Sequence, residues 1–141
     1  MPLEQERSCF LCARNRRKQL FDIAAEEGFT KIAFGHHRDD LLETFLLNVF
    51  YGGNISTMCP VQHLFSGSLL LLRPMIYLEK KEIIQLAALW ELNAVEELCP
   101  FADDSRRERV HRLLAELSAE DPAVKQSLFA ALFNVRHEYL P

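Results

Sequence analysis

Residues Lys31 to Gly53 read KIAFGHHRDDLLETFLLNVFYGG, and the run changes period half-way. Ile32, Ala33 and Phe34 form a short apolar piece that suits a buried strand. Gly35, His36 and His37 make a polar corner, and Asp39-Asp40 opens a helix. In that helix Leu41, Leu42, Phe45, Leu46, Val49 and Phe50 recur at helical spacing until Gly52-Gly53 stops them. A strand entering a helix through a tight corner is the unit of parallel α/β sheets, whose ligands lie at the carboxyl ends of the strands. His36, His37, Asp39 and Asp40 are therefore expected where a substrate would lie. A plainer reading stands beside this one: Asp40 with Glu43 has the spacing of a capping box, which only satisfies the free N–H groups of a helix start.

Working outward, the preceding segment predicts a helix from Asn15 to Glu27, with Leu20, Phe21, Ile23 and Ala24 inward and Gly28 as its stop. Residues 1 to 8 read as frayed. On the other side, Asn54 to Ser68 is loop-like, with a short strand expected near Ile55 to Met58. Leu69 to Leu72 is continuously apolar, as in a strand buried on both faces, and Pro74 ends its ladder. Leu78 to Trp90 has helical period. Ala94 to Leu98 suits a weak strand before Cys99-Pro100. Asp103 or Ser105 opens a basic helix from Arg106 to Leu117, and Asp121-Pro122 starts a last helix to about Arg136. The expected fold is α/β: a partial Rossmann-like parallel sheet flanked by helices, with a helical C-terminus, in one domain spanning 1–141. It has only two firm strands and no glycine-rich loop after a first strand, so it reads as part of a larger sheet.

Composition narrows the class. The chain has 141 residues, 49% hydrophobic and 26% charged, as in a globular domain with a real core. A net charge of −4 means that any nucleic-acid role must come from local patches. The longest apolar run is far below membrane-spanning length, and MPLEQERSCF has no apolar signal segment, so the cytoplasm is expected. Four cysteines in such a chain suggest thiols or metal ligands rather than a disulfide scaffold. Cys9 and Cys12 form a C-x-x-C, a spacing shared by redox pairs, half zinc sites and buried thiols. Cys99 sits near a predicted strand end and is expected at the same rim as the Asp corner. Cys59 has no partner by spacing. Arg14 to Lys18 and Arg106 to Arg112 read either as solvated helix faces or as phosphate contacts.

With those residues in view, the chain resembles the PP-loop (N-type ATP pyrophosphatase) superfamily, and most closely its tRNA 2-thiocytidine synthetase branch. The matching pieces are C-x-x-C-x-x-x-R-R from Cys9 to Arg17, the Lys31–Gly53 stretch, LRPM from Leu72 to Met75, LEKKEI from Leu78 to Ile83, and Cys99-Pro100. The basic helix and its sequel near Asn134-Val135 also match. The resemblance implies ATP- and Mg-dependent adenylation of a tRNA base, followed by sulfur transfer from a donor. It implies a [4Fe-4S] cluster on Cys9, Cys12 and Cys99. It also implies Asp40, Asp39 and Arg16 in the catalytic pocket, with His36, His37, Arg73 and Arg17 as substrate or phosphate contacts. The superfamily's S-G-G-x-D-S loop is not in this sequence, and the second cysteine pair is reduced to Cys99 followed by Pro100, Phe101 and Ala102. The loop, its strand and about half of the sheet are expected outside this stretch, either in a separately encoded PP-loop half or replaced by a second copy of the chain. The alternatives are a non-catalytic binding or oligomerising module of the same ancestry, and zinc held by the three thiols and a histidine.

Overall fold

A computed structural model describes the backbone of residues 2–94 and 105–140, and side chains within those ranges from Phe10 onward. The weak strand expected up to Leu98, Cys99-Pro100 and Asp103 lie outside the described residues, as does the Cys9 side chain. Helix α1 (Pro2–Glu26) leads to strand β1 (Lys31–Ala33) and helix α2 (Arg38–Leu47). Strands β2 (Val61–Leu64) and β3 (Leu69–Leu72) follow, then helices α3 (Lys80–Leu89), α4 (Arg106–Glu120) and α5 (Val124–Ala131). Among the described residues, no helix is long and apolar enough to cross a membrane.

The sheet order is β1-β3-β2. β1 and β3 run parallel, with Lys31 opposite Leu70 and Ala33 opposite Leu72. β2 is antiparallel to β3, with Val61 opposite Leu72. The α/β class and the parallel β1–β3 pair follow the sequence reading, but the sheet is mixed. The expected short strand also forms six residues later than its anticipated start, at Val61 rather than Ile55, because Pro60 ends the loop and Val61–Leu64 has the length to cross β3. Its return to β3 is tight: Phe65, Ser66 and Gly67 all have positive φ, at 51°, 57° and 91°. A short connection of this kind can only reverse the chain, whereas a parallel crossover needs a dozen or more residues.

Helix α1 begins at Pro2, well before Asn15, so the segment read as frayed is helical in its backbone. Its inward side is narrower than its period suggested. Ala24 is buried and Phe21 stacks on Phe34 of the sheet edge at 6.2 Å, but Leu20 and Ile23 are exposed. β1, expected as a buried strand, is mostly exposed, with only Ile32 partly buried, and α3 keeps no residue fully buried. The core lies instead between helices. Leu41, Leu42 and Leu46 of α2 meet Ile76 and Val110 and Leu114 of α4, with Leu128 of α5 and Leu132 at its C-terminal end against them. This apolar contact holds α2 in place and so fixes the polar corner at its start.

Candidate functional site

The corner between β1 and α2 is a capped helix start, but its cap is not the expected one. His37 is the N-cap: its Nδ1 accepts from the Asp40 N–H at 3.4 Å, and Asp40 Oδ2 accepts from the His37 N–H at 3.0 Å. The capping box is therefore His37–Asp40 rather than Asp40–Glu43. Glu43 is buried one turn further along and faces α4, where His111 Nδ1 lies 2.8 Å and Arg107 Nε 3.2 Å from its carboxylate.

The two aspartates part company here. Asp39 is 6% exposed and turns toward α3 and α5. Its Oδ2 accepts from the Lys80 backbone N–H at 2.8 Å, and Lys125 Nζ donates to its Oδ1 at 2.5 Å. Burial pushes the Asp39 carboxyl up, but Lys125, the Lys80 N–H and His37 outweigh it and hold the group below its usual value. Beside it, Arg38 pairs with Glu79, which opens α3 with a capping box of its own. Asp39 therefore ties three helix starts together, while Asp40 stays with the histidines.

His36 faces the other way, into an open cavity of about 870 Å³ lined by α1, the sheet end and the start of α4. Arg14, Arg16, Arg17 and Lys18 come from α1, Arg73 from the end of β3 and Arg107 from α4; Asp22, the acidic residue on this wall, pairs with Lys18. Two polar atoms here, His36 Nδ1 and Arg73 Nε, are buried without a hydrogen-bond partner among the described residues. Burial lowers the His36 pKa; Asp40 opposes that, while Arg73, Arg107 and Arg17 add to it, so His36 is neutral at pH 7. Arg73 is 8% exposed and partly occupied: Nη1 donates to the Cys59 carbonyl at 2.6 Å and Nη2 to Gln62 Oε1 at 3.2 Å. Burial also lowers the Arg73 pKa from its usual value. What the arrangement can do is hold an anion against several guanidinium groups, of which Arg73 and Arg107 are anchored, with an imidazole beside them.

The structure thus gathers His36, Arg16, Arg17 and Arg73 on one wall, leaves His37 and Asp40 outside its lining in their mutual cap, and directs Asp39 elsewhere. Of the three thiols proposed as ligands, only Cys12 has a described side chain. It is exposed, one residue before Ala13 of the cavity wall. Among the described residues no three His, Cys, Asp or Glu side chains come close enough to hold a metal, so they do not by themselves form the ligand set of a cluster or of zinc. The sequence does not single out Arg107 or Lys125: Arg107 belongs to a basic run whose inward side only the packing decides, and nothing local marks Lys125.

The sequence profile of the PP-loop domain matches residues 4–117. This chain belongs to the PP-loop family. The tRNA-cytidine(32) 2-sulfurtransferase of Geobacter metallireducens is 41% identical over 134 residues, which cover 94% of this chain and 52% of that protein. The corresponding protein of Marinobacter nauticus is 39% identical over 97% of this chain and 46% of its own length. This PP-loop chain thus spans about half the length of the curated relatives it matches. In three dimensions it is similar to the U34-tRNA thiolase NcsA from Methanococcus maripaludis, solved with its [4Fe-4S] cluster. The TM-score is 0.67, with 24% identity over 91% of this chain and 45% of that one. At that identity the likeness speaks for the fold.

Proposed function

We propose that this chain serves ATP-dependent 2-thiolation of a tRNA cytidine, and that its own part is the cationic wall that holds the RNA. The observation that carries the reading is the convergence of Arg14, Arg16, Arg17, Arg73 and Arg107 around the half-buried His36 in a chain whose net charge is −4. Cations concentrated in one cavity of an acidic chain fit a polyanion. The tRNA sulfurtransferase relatives make tRNA the polyanion of choice. Arg16 and Arg17 contact phosphate in this reading, and neutral His36 donates or accepts a hydrogen bond at the base. Asp40 keeps His37 oriented in the cap that starts α2, next to His36. Asp39 is a positioning residue, because its carboxylate is taken up by Lys80 and Lys125.

Cys9, Cys12 and Cys99 are part of the same proposal as ligands of a [4Fe-4S] cluster. It is supported by the cluster of the similar thiolase and by the exposure of Cys12 beside the cavity wall. Such a cluster would supply an open iron for inorganic sulfur. ATP, Mg and a sulfur donor belong to the proposed whole reaction, and the pyrophosphate-holding backbone is assigned to none of the residues described here. The test is tRNA binding against salt concentration. The logarithm of affinity should fall steeply with the logarithm of salt, and Arg16→Ala and Arg17→Ala should each make the slope shallower by about one. A salt-insensitive affinity, unchanged in both variants, refutes the reading.

A second reading, an oligomerising module, is favoured by α3 and β1. Ile84, Leu89 and Trp90 are 58%, 75% and 64% exposed, and β1 pairs on one side only among the described residues. An open strand edge and apolar side chains of this kind favour a second copy. Light scattering at micromolar concentration that shows a monomer removes it.

A further inference from the structure

Beyond Thr44, the face of α2 that borders the cavity continues into something the cavity does not use. After Leu47 the helix widens into one π-helical turn, Asn48–Gly52, and Gly53 closes it at φ 62°. Seven residues from Thr44, about 10 Å along the helix, this turn presents Tyr51. The Arg106 guanidinium lies over the Tyr51 ring at 4.7 Å, and Phe50 meets the same ring edge-on at 6.5 Å. Arg107, next to Arg106 on α4, lines the cavity and donates to Thr44 Oγ1 at 3.3 Å. Through the neighbouring Arg106 and Arg107 of α4, the cationic cavity adjoins an aromatic pair that lies outside its lining.

That pair is exposed and held. Tyr51 is 45% and Phe50 52% exposed. Asn48 Nδ2 donates to the Ser56 carbonyl at 2.9 Å and to its Oγ at 3.0 Å, which ties the turn to the loop after it. A single exposed aromatic needs no explanation. Two adjacent ones, lifted by a π turn of the kind often found at functional sites and backed on one ring face by a guanidinium, suit a flat partner with a π face. Beside a wall of arginines, a nucleobase on an unpaired strand meets both requirements.

We propose that Tyr51, backed by Arg106 and flanked edge-to-face by Phe50, forms a stacking face for one unpaired base of an RNA whose backbone runs onto the cationic cavity. The proposal rests on the reading that the cavity holds RNA and adds where the strand leaves it. The platform is sequence-tolerant, since every base has a π face. It selects single-stranded over duplex RNA.

The experiment measures binding of a fluorescent single-stranded oligoribonucleotide to the full chain by anisotropy, with a matched oligonucleotide carrying one abasic position at each site in turn. Tyr51→Ala should weaken binding roughly tenfold with an unchanged salt slope, and Tyr51→Phe should hold within roughly twofold of the parent. One abasic position should cost the parent protein a similar factor and cost Tyr51→Ala nothing further. That non-additivity would not arise from mere loss of fold, which thermal melting of both variants also monitors. If the oligonucleotide binds with a steep salt slope but Tyr51→Ala and every abasic position are silent, the platform is wrong and the cationic wall stands. If neither single-stranded RNA nor tRNA binds at low salt, both fall.

Discussion

Replacing Asp39 separates a structural tie from a reacting group. Its carboxylate is buried and accepts from the Lys80 N–H at 2.8 Å and from Lys125 at 2.5 Å. The first bond satisfies an orphan donor at the start of α3, for which a cap contributes about 1 kcal/mol. The second is charge-assisted, but the Lys125 side chain is 36% exposed, so solvent reduces it to about 1 kcal/mol. With the lost packing and the stranded Lys80 N–H, Asp39→Ala should cost about 2–3 kcal/mol. Asp39→Asn keeps an oxygen for Lys80 and loses the charge, so it should cost about 1 kcal/mol. Urea unfolding followed by circular dichroism reads both as shifts of the midpoint. The pH dependence has a definite sign. The folded carboxyl titrates below its ordinary value of 3.8, so its contribution is present above that value and is lost as pH falls through the folded pKa. Asp39→Asn should remove that acid-side loss. A midpoint unmoved by Asp39→Asn and Asp39→Ala, together with weakened RNA binding, would show that Asp39 faces the cavity and that the tie is wrong.

Glu43→Gln should destabilise by about 1–2 kcal/mol and loosen α4, because it weakens the buried partner of His111 and Arg107; hydrogen exchange localised to residues 106–112 checks it. His36→Gln addresses pH in the same sense as Asp39, but in a higher pH window. The folded imidazole titrates below 6.5, so the unfolded chain takes up protons first and stability falls as pH drops below that value. The variant should show a flatter stability profile between pH 6.5 and the folded pKa, and an unchanged slope overturns the burial of His36. Leu42 is 0% exposed at the centre of the inter-helix core, so Leu42→Ala should cost about 2–5 kcal/mol in the same urea assay, against well under 1 kcal/mol for Ile84→Ala on the exposed side of α3.

Residues close in sequence determined what could be read without coordinates. The helical spacing of Leu41, Leu42 and Leu46, the apolar run Leu69–Leu72 and the stops at Gly28 and Gly53 are local signals, and the elements they mark form where expected. So is the string from Gly35 to Asp40, which placed a polar corner at the end of β1. The direction of β2, the narrow buried side of α1 and the partners of each polar side chain were decided only in three dimensions. Asp39 finds its two donors 41 and 86 residues away, and Glu43 meets His111 across 68. Adjacent residues such as Asp39 and Asp40 point to different neighbours on a helix, so which one meets the cavity depends on how α2 is rotated in its packing. That rotation is set by Leu42 and its contacts with α4, not by the polar residues themselves. The same docking brings Arg107 to Arg16 and Arg17, an assembly of like charges that local sequence preference has no reason to encode.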